Sequence, residues 1–460
     1  MDKEFRDPVH GFIKADPDEI RVIDTPAFQR LRNIRQLATT FLVYPGANHT
    51  RFEHSIGVMH LSGLIFDELM EKGALPQYLK DAEVPEGEEP ADYYRKALRL
   101  ASLIHDLGHP PFSHAGEGLM PELDKVKDRE GKLLKAHHEH YTVAIALNSE
   151  IRERVDNDSL LKIALNIAVK QERLREALQE LGEPWKNWQD RSRINMILNE
   201  ILTGDLGTDR IDYLLRDSLY TGTKYGIFDH LRLMKTMRIV PAEAGFGEDV
   251  SIAIETGGLH VAEAMLLCRY HISLQVYYHK TRRILDYHYG KFLRKILEKI
   301  EKKNAGCFPP TTDVEEYLEY NDLKVFDLFD KERDTEDWGH LFARQHFKMI
   351  GSTPLMIAGR NESRDSLTKF REQLNEDCNF DEIEENRKYI DEDVKIETKT
   401  SFALYDEFER VPDPERYHSV DTYSTILSSE NITNLNVTLQ RAYVDREVYK
   451  EKKKNKGGSS

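Results

Sequence analysis

Leu103-Ile104-His105-Asp106-Leu107-Gly108-His109 closes an apolar stretch in which Ala97, Leu98, Leu100, Ala101, Leu103 and Ile104 leave almost no polar face. The spacing predicts a helix over 93–107, and a helix apolar nearly all round belongs in a core. The fold expected from it is mainly α, with helices packed about this one. The helix ends in an adjacent His-Asp pair at a glycine. Neighbouring helical side chains point about 100° apart, so His105 and Asp106 do not both face one adjoining helix. Both can reach an ion near the helix end. The alternative is a core histidine hydrogen-bonded to its own aspartate, and the dipeptide alone does not separate the two.

Outward from this segment the chain stays helical for its first two-thirds. Ile20, Ile23, Phe28, Leu31, Ile34 and Leu37 recur at helical intervals, with Asp24-Thr25-Pro26 as a start signal. Tyr44-Pro45-Gly46 marks a loop, a second helix begins near Thr50, and 81–92 is an acidic loop containing Pro and Gly. Helical patterns continue over about 140–180, 192–217, 258–303 and 313–330. After about 390 the period changes. Val394, Ile396, Thr398 and Thr400 alternate with polar neighbours, as do Leu435, Val437 and Leu439 before Ala442-Tyr443-Val444, which predicts strands. The expected organisation is an N-terminal segment 1–45 packing on the core and making subunit or allosteric contacts, a helical core 46–305, a small α+β lobe 306–449, and a disordered basic, Gly/Ser-ended tail 450–460.

The 460 residues carry 65 Lys+Arg against 81 Asp+Glu, a formal charge of -16, with 40% hydrophobic and 32% charged residues. That balance belongs to a folded globular protein and not to a disordered one. No run approaches the roughly 18 apolar residues of a helical membrane span. The opening MDKEFRDPVHGF lacks an apolar signal core, so a cytoplasmic location is expected. Cys268, Cys307 and Cys378 are scattered and form no zinc or redox pattern, which suits a reducing compartment. Net acidity argues against coating of nucleic acid but leaves room for a local basic pocket that takes one anion.

The chain has 18 histidines, several of them in short clusters. His54 opens a helix in Arg51-Phe52-Glu53-His54-Ser55. Asp209 lies in Gly207-Thr208-Asp209-Arg210-Ile211-Asp212-Tyr213, and Asp209, Tyr213 and Asp217 share one helix face at i, i+4, i+8. Two imidazoles and two carboxylates suit a divalent transition metal such as Mn, Fe, Co, Ni or Zn. Such an ion keeps positions for water and for a phosphate oxygen.

The order His54, His105-Asp106, Asp209 resembles the H…HD…D signature of the HD-domain metal-dependent phosphohydrolases. Asp7-Pro8-Val9-His10-Gly11, Asp24-Thr25-Pro26 with Phe28-Gln29-Arg30-Leu31-Arg32, and Tyr44-Pro45-Gly46-Ala47 with His49-Thr50-Arg51-Phe52-Glu53-His54-Ser55-Ile56-Gly57 narrow the resemblance. So does His105-Asp106-Leu107-Gly108-His109 with Pro111-Phe112-Ser113-His114. Together they resemble the deoxynucleoside triphosphate (dNTP) triphosphohydrolases, in the branch of the SAM-and-HD-domain dNTPase and its bacterial relatives. The resemblance runs from about residue 5 to 290.

The resemblance implies an HD-domain helical core in which His54, His105, Asp106 and Asp209 hold a divalent metal (Mn, Fe, Co, Ni, Zn or Mg). It places His109 and His114 beside the α-phosphate, and His138 with Glu139 and Glu117 as the catalytic relay. A protonated imidazole held by a carboxylate is a sensible general acid for a poor alkoxide leaving group. The flanking His137 and His140 leave a surface histidine-rich helix as the alternative. It further implies that Arg51, Arg210 and Arg269 meet the triphosphate, and that Gln36, Leu37, Tyr213, Asp217 and Tyr277 meet the sugar and base. The implied reaction releases deoxynucleoside and intact inorganic triphosphate. Asp24, Gln29 and Arg32 match positions that read an activating nucleotide in the animal branch. Asp24 also suits a helix N-cap. The neighbouring Glu4, Phe5, Arg6 and Phe12 depart from that branch, so no base preference follows.

The leading expectation is therefore a nucleotide-regulated dNTPase acting as a homo-oligomer, as a tetramer, with no membrane partner. The competing readings are an HD-type phosphodiesterase or nucleotidase acting on another phosphate ester, and a dormant nucleotide- or nucleic-acid-binding regulator.

Overall fold

Thr50 and Glu53 start the helix that carries His54: the Glu53 carboxylate accepts the Thr50 N–H at 3.0 Å, a capping arrangement that satisfies a donor the first turn leaves open. The computed structural model describes residues 2–457 except 81, 83, 156, 184–187, 189–191, 242–243, 245–251, 301–303, 355, 358–360, 379, 397–401, 410, 412 and 425–436. The Arg51–Glu71 helix packs along the Pro90–Ile104 helix and against Thr208–Thr221. Where the three meet, Ser102 donates to Ser62, and Ser62 pairs with Thr208, each at 2.8 Å, with all three hydroxyls fully buried. Small hydroxyl residues let these backbones approach closely and still find partners.

The segment expected as one helix over 93–107 spans Pro90–Ile104, and His105 to Gly108 form the turn beyond it. A Cβ on Gly108 would lie 1.9 Å from the His138 carbonyl oxygen and 2.3 Å from Thr142 N. Glycine therefore lets the start of the His138–Asn148 helix sit directly against the His-Asp turn. The following loop is strained. Phe112 and Ser113 adopt φ of 58° and 50°, at a cost of about 1–3 kcal/mol each. Asp322 holds it by accepting Phe112 N at 2.7 Å and Arg35 N at 3.0 Å, while Ser113 Oγ donates to the Arg35 carbonyl at 2.6 Å.

The fold is mainly α, with several small sheets. The N-terminal segment contains an antiparallel hairpin, Lys3–Asp7 with Gly11–Ala15, in register Asp7 to Gly11. The helical pattern after it is broken into Pro17–Ile23, Pro26–Gln29 and two 3₁₀ turns. Asp24 caps the C-terminus of the first of these, and Thr25, not Asp24, caps the second by accepting Phe28 N. One four-stranded sheet runs Tyr417–Ser419, Ala403–Tyr405, Ile252–Glu255, Met237–Ile239, with the central pair parallel. The lobe thus shares a sheet with strands from the preceding half of the chain. In the other, Val437–Val444 pairs antiparallel with Lys348–Ser352, Met356–Ile357 and Lys388–Ile396. Val394, Ile396, Val437, Leu439 and Ala442-Tyr443-Val444 lie in its strands as expected. Thr398, Thr400 and Leu435 lie outside the described residues.

The main apolar core runs continuously from Ile13 to Val420 and includes Phe308, Tyr317, Val325, Phe329 and Leu341, so part of the segment after 305 packs within the helical core. The tail expected to be disordered from 450 is helical over Arg446–Gly457. Its run of Lys and Glu consists of good helix formers, and Asp445 caps it by accepting Val448 N at 2.9 Å. Residues 458–460 lie outside the described residues.

Candidate functional site

Three helical segments deliver His54, His105-Asp106 and Asp209 to one point. His54 Nε2 lies 3.0 Å from Asp209 Oδ1 and 3.6 Å from Asp106 Oδ2. His105 Nε2 lies 3.5 Å from Asp106 Oδ1 and 3.7 Å from Asp209 Oδ1. His54, His105 and Asp106 are buried, and the Asp209 side chain, 31% exposed, faces the opening.

The other ring nitrogens are already engaged. His54 Nδ1 pairs with Asp212 Oδ2 at 2.8 Å, and His105 Nδ1 with the Ser102 carbonyl at 2.7 Å. Since a carbonyl only accepts, His105 carries its proton on Nδ1, and its Nε2 offers a lone pair; Asp212 imposes the same tautomer on His54. Both Nε2 atoms are buried without a hydrogen-bond partner among the described residues. Two buried orphan lone pairs converging on two carboxylates fit a divalent cation. The charges agree. Burial opposes an imidazolium at His54, yet the surrounding carboxylates of Asp209, Asp212 and Asp106 outweigh it and raise this group to about 10. The cage therefore calls for positive charge where a cation would sit. Burial likewise opposes a charged Asp106, but Arg51, His105 and His109 hold it well below the usual carboxylate range.

Beside the cage is a second cluster. His138 Nδ1 pairs with Glu117 Oε1 at 2.6 Å, and His114 Nδ1 lies 3.2 Å from Glu117 Oε2. The His138 ring stacks on His109 at 3.9 Å, and His109 Nε2 lies 3.4 Å from Asp106 Oδ1, which links the clusters. Burial disfavours the His138 imidazolium, but Glu117 outweighs it and raises the group. Burial, then Arg51 and His138, hold His109 neutral. The pair of stacked rings thus contains one proton holder and one neutral imidazole. Glu139 is not the partner of His138. Its carboxylate accepts Lys170 N at 3.3 Å and faces Arg173. As the residue next to His138 on a helix it points about 100° away.

Both clusters open into one cavity of about 480 Å³, whose walls also carry Gln36, Leu37, Arg51, Tyr213, Asp217, Tyr277, Arg282 and Arg283. Asp217 accepts Tyr277 Oη–H at 2.5 Å and pairs with buried His49 Nε2 at 2.7 Å. A π-helical turn over Ser273–Tyr277 aims Tyr277 at this wall; such turns often mark functional sites. Arg51 lies 2.5 Å from Asp106. Arg210 and Arg269 are outside this lining: both turn to Asp205, at 3.4 and 3.2 Å. Arg282 and Arg283, which the sequence reading passed over, supply cationic wall instead. Arg283 is paired with Asp391 at 2.6 Å. Away from the cavity, Asp24 pairs with Lys3 at 3.1 Å, the Gln29 amide donates to the Ile23 carbonyl, and Arg32 donates to Gln29 and lies over the Phe52 ring.

The sequence reading also missed Asp212, Arg216, His10 and Asp7, which form a buried network behind His54. Their signals were present, an Asp-Arg pair at i, i+4 in 212–216 and the Asp7-Pro8-Val9-His10-Gly11 turn, but they are about 200 residues apart.

Comparison with known proteins agrees with this geometry. The HD domain family matches residues 51–187, and the HD associated region matches 228–398. An uncharacterised protein of Methanocaldococcus jannaschii is 32% identical over 302 residues, 66% of this chain and 51% of that protein. The deoxynucleoside triphosphate triphosphohydrolase SAMHD1 of Gallus gallus is 32% identical over 297 residues, 62% of this chain and 44% of that protein. The chain thus spans about half the length of these curated relatives. A solved hypothetical protein from Aquifex aeolicus superposes with a TM-score of 0.71 at 30% identity, over 98% of this chain and 99% of that one. No helix among the described residues is long and apolar enough to cross a membrane. Matched by both families and carrying the H…HD…D constellation at one point, the chain belongs to the HD-domain family and carries an HD-associated region.

Proposed function

We propose that the protein hydrolyses dNTPs to deoxynucleoside and inorganic triphosphate. One observation carries the reading. His105, Asp106 and Asp209 of the cage, and His138 of the His138–Glu117 pair, line the same cavity as Tyr213, Tyr277 and Asp217. His54, His105, Asp106 and Asp209 would hold a divalent cation, which would supply Lewis acidity toward a phosphate oxygen and toward water. His138, kept protonated by Glu117, donates to the departing O5′, and neutral His109 orients it by stacking. His114, anchored on Glu117, contacts the α-phosphate region. Arg51 bridges from Asp106 to the phosphates.

At the far wall each Asp217 oxygen keeps a second lone pair beyond those used by His49 and Tyr277, so it can accept the 3′-hydroxyl. Gln36 and Leu37 close the sugar side, and the Tyr213–Tyr277 ring pair, 6.2 Å between centroids, excludes a ribose hydroxyl by its bulk. Arg210 and Arg269 reach a triphosphate only by leaving Asp205. An activating nucleotide binds near Asp24, Gln29 and Arg32 between subunits of a cytoplasmic homotetramer. This last part rests on the family resemblance.

Incubation of the full chain with each dNTP and Mn²⁺, followed by product separation, tests the reading. Deoxynucleoside with intact triphosphate supports it. Monophosphate or diphosphate products, or turnover only of another phosphate ester, overturn it.

A further inference from the structure

Behind the cage, on the side away from the cavity, the Asp212 carboxylate is fully buried and receives four contacts. His10 Nε2 lies 2.7 Å from Oδ1, His54 Nδ1 2.8 Å from Oδ2, and Arg216 donates Nε to Oδ2 at 2.8 Å and Nη2 to Oδ1 at 2.9 Å. An ionised carboxylate offers about four lone-pair sites, so all are used. Its plane is fixed, and with it the ring of His54. Arg216, also 0% exposed, donates Nη1 to Asp7 Oδ2 at 2.8 Å. The other Asp7 oxygen accepts Val9 N and His10 N, each at 2.9 Å, which shapes the hairpin tip. A Cβ on Gly57, one turn beyond His54, would lie 2.0 Å from Asp212 Oδ1. The tip of the N-terminal hairpin therefore reaches through the core to the back of a cage residue.

We propose that His10 and Asp7 are positioning residues for the cation centre: through Asp212 they hold the His54 ring with Nδ1 protonated and Nε2 turned into the cage. The proposal rests on reading the cage as a cation site but not on any substrate. Without His10, one lone pair of the fully buried Asp212 carboxylate loses its partner. The carboxylate is then free to turn away from His54 to relieve it. A residue that merely anchors the hairpin would affect stability and leave the cage unchanged.

The test is Mn²⁺ binding by isothermal calorimetry on the full chain. Loss of an outer partner of a metal-bound histidine weakens affinity about 10- to 100-fold. His10→Ala, one step further out, is expected at the low end of that range, about tenfold. His10→Gln keeps an N–H donor and restores most of the affinity. Because coupling is reciprocal, Mn²⁺ also slows amide exchange at Val9 and His10 in the wild type, a measurement that decides the matter if His10→Ala does not fold. Equal Mn²⁺ affinity in folded His10→Ala, or hairpin exchange that ignores Mn²⁺, overturns the positioning role and leaves the cage standing. Failure of the wild type to bind Mn²⁺ overturns both.

Discussion

Replacing Gly57 by alanine sets helix propensity against the buried ion network. Alanine is favoured over glycine in a helix interior by about 1 kcal/mol. At this position the added Cβ would stand 2.0 Å from Asp212 Oδ1 and 2.5 Å from Arg216 Nη2. Ordinary contact begins at 3.4 Å, so moving from 2.0 to 3.4 Å demands a retreat of about 1.4 Å. Neither side chain can make it into solvent, since both are fully buried. A shift of that size separates Asp212 from at least one of His10, His54 and Arg216, all now within 2.9 Å. Overpacking costs about 1–3 kcal/mol, and breaking a buried ion pair costs about 3–5 kcal/mol. After the helix gain, the net loss is about 3–7 kcal/mol. Urea unfolding followed by circular dichroism measures it. Gly290, within the Lys280–Ile300 helix and with nothing within 4 Å of an added Cβ, is the control, and Gly290→Ala should gain about 0.5–1 kcal/mol. If Gly57→Ala proves as stable as the wild type, the network is not packed as described and the reasoning fails.

His138→Gln should lower kcat by about 10²- to 10⁴-fold, with Mn²⁺ affinity unchanged. Because His138 is raised above 6.5 by Glu117, activity that needs its imidazolium persists at low pH and is lost as pH rises through that raised value. Glu117→Gln should move the loss to lower pH, and a pH–kcat profile that Glu117→Gln leaves unshifted contradicts the pairing. Burial raises the Asp322 carboxyl from 3.8 to about 6 against the pull of Phe112 N, Arg35 N and the Arg35 guanidinium. Its folded pKa is the higher one, so this contribution to stability is present below pH 3.8 and lost as pH climbs through 6, about 3 kcal/mol in all. Stability measured from pH 4 to 7 should therefore slope less in Asp322→Asn than in the wild type.

Local pattern carried the helices and the carriers of the cage. A helix apolar all round announces burial, and His105-Asp106 at its end, His54 after a capping pair and Asp209 on a face with Tyr213 and Asp217 are all visible within single elements. What local pattern cannot show is which distant side chains meet. Glu139 adjoins His138 in sequence, but helical geometry turns it toward Lys170 and Arg173, and Glu117, 21 residues away, takes its place. Arg210 and Arg269 carry the right charge, yet both are drawn to Asp205. Arg282 and Arg283, in the first turn of the Lys280–Ile300 helix, carry no local signal that they line the cavity. The hairpin at 3–15 is short enough for its alternation to escape notice, and only the fold brings His10 to Asp212, 202 residues on.

The proposed chemistry requires one cation per chain, held where His54, His105, Asp106 and Asp209 converge. Equilibrium dialysis of the full chain against Mn²⁺ measures this directly, with Asp106→Ala alongside. One tightly held ion per wild-type chain, lost in the folded variant at the same free concentration, is the predicted result. Retention of the ion by Asp106→Ala, or none in the wild type, contradicts it.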